Sequence, residues 1–180
     1  RIQAGKTTVS SAFKTVSYPR SFSGNPLVLS QVQSFSDRTA AVTRQHNINN
    51  RGFALCLQSQ EKFGKRHNAE TVGWVAVSQG TVALGNGMKL NASVLPGYFS
   101  NPESDRAIWH RWNFTNQTSD EKPLVLAGMQ TANGADTTGF RMRNISAAFF
   151  EFFLEEETSA NFEITHINES VGFLSISPEN

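Results

Sequence analysis

A histidine and a glutamate stand three positions apart at two places in the chain, and such side chains occur in metal and acid–base sites. The pairs are His67 with Glu70 and His166 with Glu169. Side chains three positions apart on a β-strand point to opposite faces, so neither pair can hold one ion without a bulge. Two ligands also fall short of the four that a structural zinc ion takes. We therefore interpret both pairs as hydrogen-bonding groups that anchor a loop or a subunit contact, and we predict no metal and no cofactor.

Paired charges on two neighbouring predicted strands offer a second chemistry, the recognition of sugar hydroxyls. Arg141 and Arg143 share one face of a strand, and Glu155 and Glu157 share a face of the next strand. A few polar side chains of this kind give a ligand pocket its specificity. The same residues can instead form a ladder of cross-strand ion pairs, each worth ~0.2–1 kcal/mol. Both interpretations stay open, and the spacing also allows a contact between Glu157 and His166.

Aromatic rings that can stack against the C–H face of a sugar are concentrated between residues 96 and 114. Alternation along AIWHRWNF places Trp109 and Trp112 on opposite faces of a strand, so at least one of them belongs to the core. We favour a structural role for the tryptophans and regard Tyr98 and Phe99 as the exposed aromatic platform. Charged side chains of the same segment lie beside these rings in the sequence: Glu103, Asp105 and Arg106.

The elements that would position these groups are written twice along the chain. HNAETVGWVAV at 67–77 returns as HINESVGFLSI at 166–176, and PLVLSQVQS at 26–34 returns as PLVLAGMQT at 123–131. The offset grows from 97 residues (26 to 123) to 99 (67 to 166), which places two extra residues of the second copy in a surface loop. A repeat this long predicts two copies of one small domain. We place the boundaries at 1–79 for repeat 1 and 80–180 for repeat 2.

Each copy consists of short alternating segments and lacks helical periods. In repeat 1 the alternation predicts strands at 13–18, 27–34, 40–48, 52–60 and 69–77. Fourteen Phe residues also favour sheet. We expect an all-β chain of two tandem small antiparallel β-sandwiches.

Two predicted strands show which faces should be buried. Phe53, Leu55 and Leu57 share one face, which should be the core face, whereas Cys56 and Gln58 share the other. The last strand, VGWVAV, is apolar on both sides. It should therefore be covered on both sides, either between packed sheets or at a subunit interface.

The sequence does not assemble a catalytic centre. Covalent catalysis needs a nucleophile, a base and an orienting group in contact. Cys56 is the single cysteine, and its counterpart in repeat 2 is Phe153, so we interpret it as packing. The carboxylates of residues 155–157 could serve glycoside hydrolysis, but they lie on a regular hairpin and not in a cleft. We predict that the protein is not an enzyme.

The bulk composition gives no sign of nucleic-acid binding or of membrane insertion. The 16 basic and 15 acidic residues leave a formal net charge of +1, which is not the basic footprint of a nucleic-acid-binding domain. No apolar run approaches the ~18 residues that span a bilayer. We predict neither partner.

The order of several short motifs resembles the H-type lectin domain, the family of snail agglutinins and discoidins. RIQAGK opens repeat 1 and is followed by VSYPRSF, NPLVL, the Arg-centred AAVTRQHNI, a Gly-Phe turn and GWVAV; SQGTV at 78–82 restarts the order. The resemblance covers nearly the whole chain. It implies six-stranded antiparallel sandwiches that trimerise through sheet faces and bind galactose-type sugars, often N-acetylgalactosamine, at subunit boundaries. For two copies per chain it suggests a homotrimer with two stacked rings of domains, a pseudo-hexameric arrangement.

The resemblance also implies sugar-contacting residues. The family's arginine on the third strand matches Arg44 and Arg141. An acidic residue in the loop before the first strand corresponds to Glu103 or Asp105 in repeat 2, near Tyr98, and repeat 1 lacks that loop. The family's Trp-His pair falls on positions where neither copy keeps the aromatic: Gln60, Glu61, Glu157 and Thr158. Repeat 2 is therefore the favoured site.

These observations lead to one main functional hypothesis and two alternatives. The main hypothesis is a secreted or cell-surface tandem lectin whose partners are glycans and whose weak single sites gain avidity through trimerisation. The first alternative is a structural oligomerisation or adhesion module. The second is a polysaccharide-binding module of a larger secreted protein.

Overall fold

The computed structural model of the chain describes residues 1–64, 66–85, 87–114 and 121–178. These residues form β-strands and one short 3-10 turn, Glu61–Phe63, which confirms the predicted all-β class. In repeat 1 the strands are β1 (Ile2–Val9), β2 (Lys14–Ser17), β3 (Leu27–Val32), β4 (Ala41–His46), β5 (Gly52–Ser59) and β6 (Glu70–Val77).

Repeat 2 contains the remaining strands. They are β7 (Gly80–Ala83), β8 (Met88–Val94), β9 (Phe99–Asn101), β10 (His110–Asn113), β11 (Leu124–Met129), β12 (Thr138–Arg143), β13 (Phe149–Glu156), β14 (His166–Glu169) and β15 (Val171–Pro178). No helix in the described part of the chain has the length and apolar character that a membrane crossing requires.

The strand order repeats where the sequence repeats. Repeat 1 has two antiparallel sheets, β1-β6-β3 and β2-β5-β4. Repeat 2 has β7-β8-β15-β11 and β10-β13-β12, so β8, β15 and β11 stand where β1, β6 and β3 stand in repeat 1. The segment before β10, which has no counterpart in repeat 1, contributes β9, and β9 pairs with β14. The division into two domains at residues 79 and 80 stays a prediction.

The two sheets of repeat 1 enclose one apolar cluster. Phe53, Leu55 and Leu57 are at most 2% exposed and pack with Trp74, as the alternation of β5 predicted. Gly5 lies against the Trp74 ring, because a Cβ there would come within 2.6 Å of the indole. Repeat 2 has a corresponding cluster around Phe150, Phe152, Leu154 and Phe173.

The predicted strands of repeat 1 agree with β2 to β6 within two residues at each end. The prediction missed β1, which pairs along its whole length with β6. Its sequence, IQAGKTTV, has exposed polar residues and little apolar alternation, since β1 is an edge strand with one half-buried face. Pairing with the apolar β6 therefore determines its conformation more than its own residues do.

The last strand of each repeat is covered on both sides, as its doubly apolar sequence predicted. Val72 and Trp74 of β6 point into the core of repeat 1, whereas Val77 packs with residues of repeat 2. This third cluster joins the two repeats through their outer sheet faces; its buried members are Leu27, Val77, Leu90, Ala92 and Leu174. The covering element is the other repeat of the same chain.

Candidate functional site

The boundary between the repeats is held by a buried arginine from repeat 1. Arg44 is 3% exposed, and its Nη1 donates to Gln58 Oε1 at 2.6 Å and to the Asp136 carbonyl at 2.7 Å. Its Nη2 donates to the Gly134 carbonyl at 2.9 Å and pairs with the Glu169 carboxylate at 3.3 Å. The resemblance assigned Arg44 to sugar binding, but this guanidinium is hydrogen-bonded to repeat 2 and is buried. The predicted role is therefore wrong for Arg44.

The Glu169 carboxylate also lies against His166, contrary to the expectation from strand geometry. His166 Nε2 is 3.3 Å from Glu169 Oε1, and both residues are at most 1% exposed. The pairing register with β9 shifts between these two residues. This bulge or irregularity turns side chains that would point apart in a regular strand toward each other. On the other side of the ring, His166 Nδ1 lies 2.8 Å from the Glu156 carboxylate. The partner of His166 is therefore Glu156, whereas the spacing had allowed Glu157.

Two carboxyl groups beside His166 have their pKa values moved in opposite directions. Burial raises the pKa of Glu156 to about 7, with Glu163 adding to the rise and the hydrogen bond to His166 opposing it. Burial also raises the pKa of Glu169, but hydrogen bonds from His166, Thr131 and the Gly134 amide outweigh it, so the net pKa is lowered. Glu169 therefore remains ionised, and its negative charge can balance the Arg44 guanidinium of repeat 1.

The repeated glutamate anchors the loop after the third strand in both copies. In repeat 1 the Glu70 carboxylate accepts from the Ser34 hydroxyl and from the amides of Ser36 and Asp37, at 2.6 and 2.9 Å. In repeat 2 Glu169 accepts from Thr131 and from the amides of Asn133 and Gly134.

His67 anchors the chain in repeat 1. Its ring contacts the carbonyls of Thr39 and Asn68 at 3.0 and 2.9 Å, and its backbone amide donates to the Ser11 hydroxyl at 2.6 Å. The loop-anchoring interpretation of both His–Glu pairs is thus confirmed.

The positions of the family's Trp-His pair meet at the repeat boundary. The amide of Glu61 donates to the Glu157 carboxylate at 2.5 Å, and the amide of Lys62 donates to the Ser159 hydroxyl at 3.2 Å. Gln60 is half-buried and Thr158 is exposed beside this contact. The structure therefore brings Glu61 and Glu157 together, with Gln60 and Thr158 as their neighbours in the chain, and Glu157 ties the repeats to each other.

Three carboxyl groups converge at the same boundary. Oxygen atoms of Glu61, Asp136 and Glu156 lie within 4.8 Å of one another, and Glu156 is the buried member. The set is drawn from both repeats.

The outer face of the sheet β10-β13-β12 presents the charges that the sequence paired. Arg141 Nε lies 2.6 Å from Glu155, with 65% of the arginine side chain exposed. Arg143 pairs instead with Glu151 at 2.9 Å. Hydrogen bonds from Arg111, Asn144 and Arg143 lower the pKa of Glu151 to about 2. The ion-pair ladder therefore exists, but Glu151 takes the place of Glu157 in it.

Aromatic rings lie on the same outer face. The Trp109 ring packs edge-on against Phe153 at 4.8 Å between centroids, and the Arg143 guanidinium lies 3.9 Å from the centroid of the Trp109 ring. Arg141 stands opposite Phe153 in the strand pairing. Trp112 packs on the opposite side, against the core, which confirms that the two tryptophans face opposite ways.

The predicted Tyr98–Phe99 platform is only half present. Tyr98 is 66% exposed, but Phe99 is half-buried and packs against the core at Phe152, with 5.0 Å between ring centroids. The pair is therefore wrong as a double platform, because successive residues of a strand point to opposite faces. Glu103 and Asp105 are exposed, and Glu103 lies 3.9 Å from Arg106.

Two depressions mark the repeat boundary. A groove of about 900 Å³ runs between the repeats and is lined by Gln33 and Gly73 on one side and by Leu126, Gly128 and Met142 on the other. A smaller pocket of about 280 Å³ lies between Phe13 of repeat 1 and the loop at 132–135. Sequence reasoning missed both, because they arise where the repeats meet.

No protein-family model matches the chain, and no solved structure matches it. A curated relative named Halomucin, from Haloquadratum walsbyi (strain DSM 16790 / HBSQ001), is 24% identical over 179 residues. That match covers 97% of this chain and 2% of the relative's length. The similarity extends through both repeats. At this identity it assigns no family, so the H-type lectin resemblance stays a prediction.

Proposed function

We propose that the protein is a carbohydrate-binding lectin for galactose-type or N-acetylgalactosamine-type glycans. The observation that supports this most strongly is the outer face of β10-β13-β12, where the exposed Arg141–Glu155 pair and the Trp109 ring flank Phe153. A guanidinium and a carboxylate provide donors and acceptors for adjacent hydroxyls. An aromatic ring beside them offers the apolar surface that a ligand site combines with a few polar groups.

The remaining predicted contacts form part of the proposal. Tyr98, Glu103 and Asp105 lie on exposed segments of repeat 2. Glu157 and Thr158 follow the end of β13, the strand that carries Glu155. Repeat 2 is the binding repeat in this proposal, because the matching arginine of repeat 1 is buried.

Weak single sites would act together in an assembly, in keeping with the homotrimer that the resemblance implies. The proposed location is secreted or at the cell surface, where glycans are displayed.

Retention on immobilised galactose or N-acetylgalactosamine, or binding on a glycan array, tests the proposal. We expect the chain to bind and Arg141→Ala to lose binding at least tenfold while its circular dichroism spectrum stays unchanged. Arg51→Ala is the matched control, since Arg51 is an exposed arginine of a repeat 1 turn and should bind as well as the parent. Equal binding by both variants would overturn the proposed site.

A second candidate function is a structural oligomerisation module. Its support is the exposure of Leu124 and Leu126, 56% and 50%, on a strand whose counterpart in repeat 1 is covered by repeat 2. A folded, self-associated protein that binds no glycan would favour this function over the lectin.

A further inference from the structure

Both repeats contribute the outer faces of the equivalent strands β6 and β15 to their contact, with Val77 and Leu174. The rest of the contact is heterologous, because each repeat contributes a different surface. Repeat 1 contributes the edge of β3, with Leu27 and Val28, and Arg44 of β4; this is the edge surface. Repeat 2 contributes Gln130, Gly172 and the loop anchored by Glu169; this is the loop surface. A heterologous contact leaves one copy of each surface unused, so it can continue to further molecules.

Three features define how the edge surface fits the loop surface. Leu27 lies over Gly172, where an added Cβ would come within 2.4 Å of the leucine side chain. Gln130 accepts a hydrogen bond from the Val28 amide at 3.0 Å and donates to the Val28 carbonyl at 3.0 Å. Arg44 lies at the side of the contact, where it donates to two loop carbonyls and pairs with Glu169.

Repeat 2 carries its own edge surface, which is open to solvent at Leu124 and lines the groove between the repeats at Leu126. At the offset of 97, Leu27, Val28 and Arg44 correspond to Leu124, Val125 and Arg141. Leu27 is 0% exposed, whereas Leu124 is 56% exposed.

Repeat 1 likewise carries its own loop surface. Gln130, Gly172 and Glu169 correspond to Gln33, Gly73 and Glu70. Gln33 is exposed, and its amide lies over Gly73, within 2.3 Å of where a Cβ would stand. The neighbouring loop carries the Asp37 carboxylate and the Phe35 ring, which is 80% exposed.

The charges of the two free surfaces are complementary. The Arg141 side chain on the edge surface is 65% exposed beside its partner Glu155. The loop surface of repeat 1 presents the half-buried Asp37 carboxylate, whereas Glu70 is 2% exposed and is bound by its own loop. Hydrogen bonds from Thr39 and Asn68 lower the pKa of Asp37 to about 2, so Asp37 is ionised at neutral pH.

We propose that copies of this chain associate head to tail, with the edge surface of repeat 2 in one copy packed on the loop surface of repeat 1 in a second copy. Leu124 would then lie over Gly73, and Gln33 would bond the backbone of Val125. This association requires no sugar. Arg141 would be covered in this contact, so the association differs from the homotrimer of the proposed function, in which Arg141 stays open. A sugar at Arg141 and a second copy at this surface exclude each other.

Sedimentation velocity without sugar, over a series of micromolar concentrations, tests the association. We expect the mass to rise above the 19.8 kDa of one chain as concentration increases. Leu124→Asp, which damages the edge surface, and Gln33→Glu, which removes the donor on the loop surface, should each weaken association at least tenfold. Phe162→Asp is the matched control, because Phe162 is 94% exposed outside both surfaces.

Mixing the two variants tests the head-to-tail geometry. Leu124→Asp retains an intact loop surface and Gln33→Glu retains an intact edge surface, so the mixture should form one-to-one pairs although neither variant associates alone. A parent chain that stays at the mass of one chain overturns the proposal. So does a mixture without pairs, or association that survives in both variants. Both variants keep Arg141, so their glycan binding reports separately on the lectin proposal.

Discussion

Replacing Arg44 with alanine should destabilise the protein far more than the same change at Arg141. Arg44 donates to Gln58, to the carbonyls of Gly134 and Asp136, and to the carboxylate of Glu169. Removing one partner of a buried ion pair costs roughly 3–5 kcal/mol, because the other charge is left buried. Glu169 keeps hydrogen bonds from its own loop, so we expect the low end, about 3 kcal/mol.

Arg141→Ala is the matched control, because Arg141 occupies the equivalent position on an exposed face. Its pair with Glu155 is open to solvent, with 65% and 30% of the two side chains exposed. Such pairs contribute roughly 0–1 kcal/mol. Equilibrium unfolding in urea at pH 7, followed by tryptophan fluorescence, gives both free energies of unfolding. Equal losses for the two variants, or a loss below about 1 kcal/mol for Arg44→Ala, would refute the account of the repeat boundary.

Two further predictions concern buried titratable groups. The pKa of Cys56 is raised to about 11 by burial, so its thiol should react with Ellman's reagent at least a hundredfold more slowly in the folded protein than in guanidinium chloride; equal rates would contradict its burial. The folded pKa of Glu156 is raised to about 7 from 4.5, against the opposing hydrogen bond from His166. The folded state therefore holds a proton that the unfolded chain has lost, and this group's contribution to stability falls as pH rises from 4.5 to 7. Glu156 also faces Glu61, Asp136 and Glu163. The Glu156→Gln variant should lose this pH dependence of stability, measured by urea midpoints across that range. An unchanged pH dependence would contradict the assignment.

The strands of repeat 1 could be predicted because their residues alternate strongly. Phe53, Leu55 and Leu57 mark a core face without any knowledge of the partner sheet. The doubly apolar last strand likewise showed that two surfaces must cover it. β1 was not predicted because its residues are largely polar, and its extended conformation depends on pairing with β6.

The roles of individual site residues depended on contacts between the repeats, which no local pattern records. Arg44 and Arg141 occupy matching positions, yet one is 3% exposed and the other has 65% of its side chain exposed. The difference arises because repeat 2 covers only one of them. The contact of His166 with Glu169 also depended on a register shift that a regular strand does not contain. The duplicated sequence could have indicated that the two repeats pack against each other, since a doubly apolar strand in each copy requires a partner.

Titration of the isotopically labelled chain with galactose and N-acetylgalactosamine, followed by NMR, tests the proposed lectin function most directly. The chain has three tryptophans, and each gives one indole N–H signal. Trp74 and Trp112 pack with the cores, whereas Trp109 lies on the outer face against Phe153, which stands opposite Arg141 in the strand pairing. We expect a saturable shift of the Trp109 indole signal, which Arg141→Ala abolishes. Indole signals that stay fixed at saturating sugar, or a Trp109 shift that persists in Arg141→Ala, would contradict it.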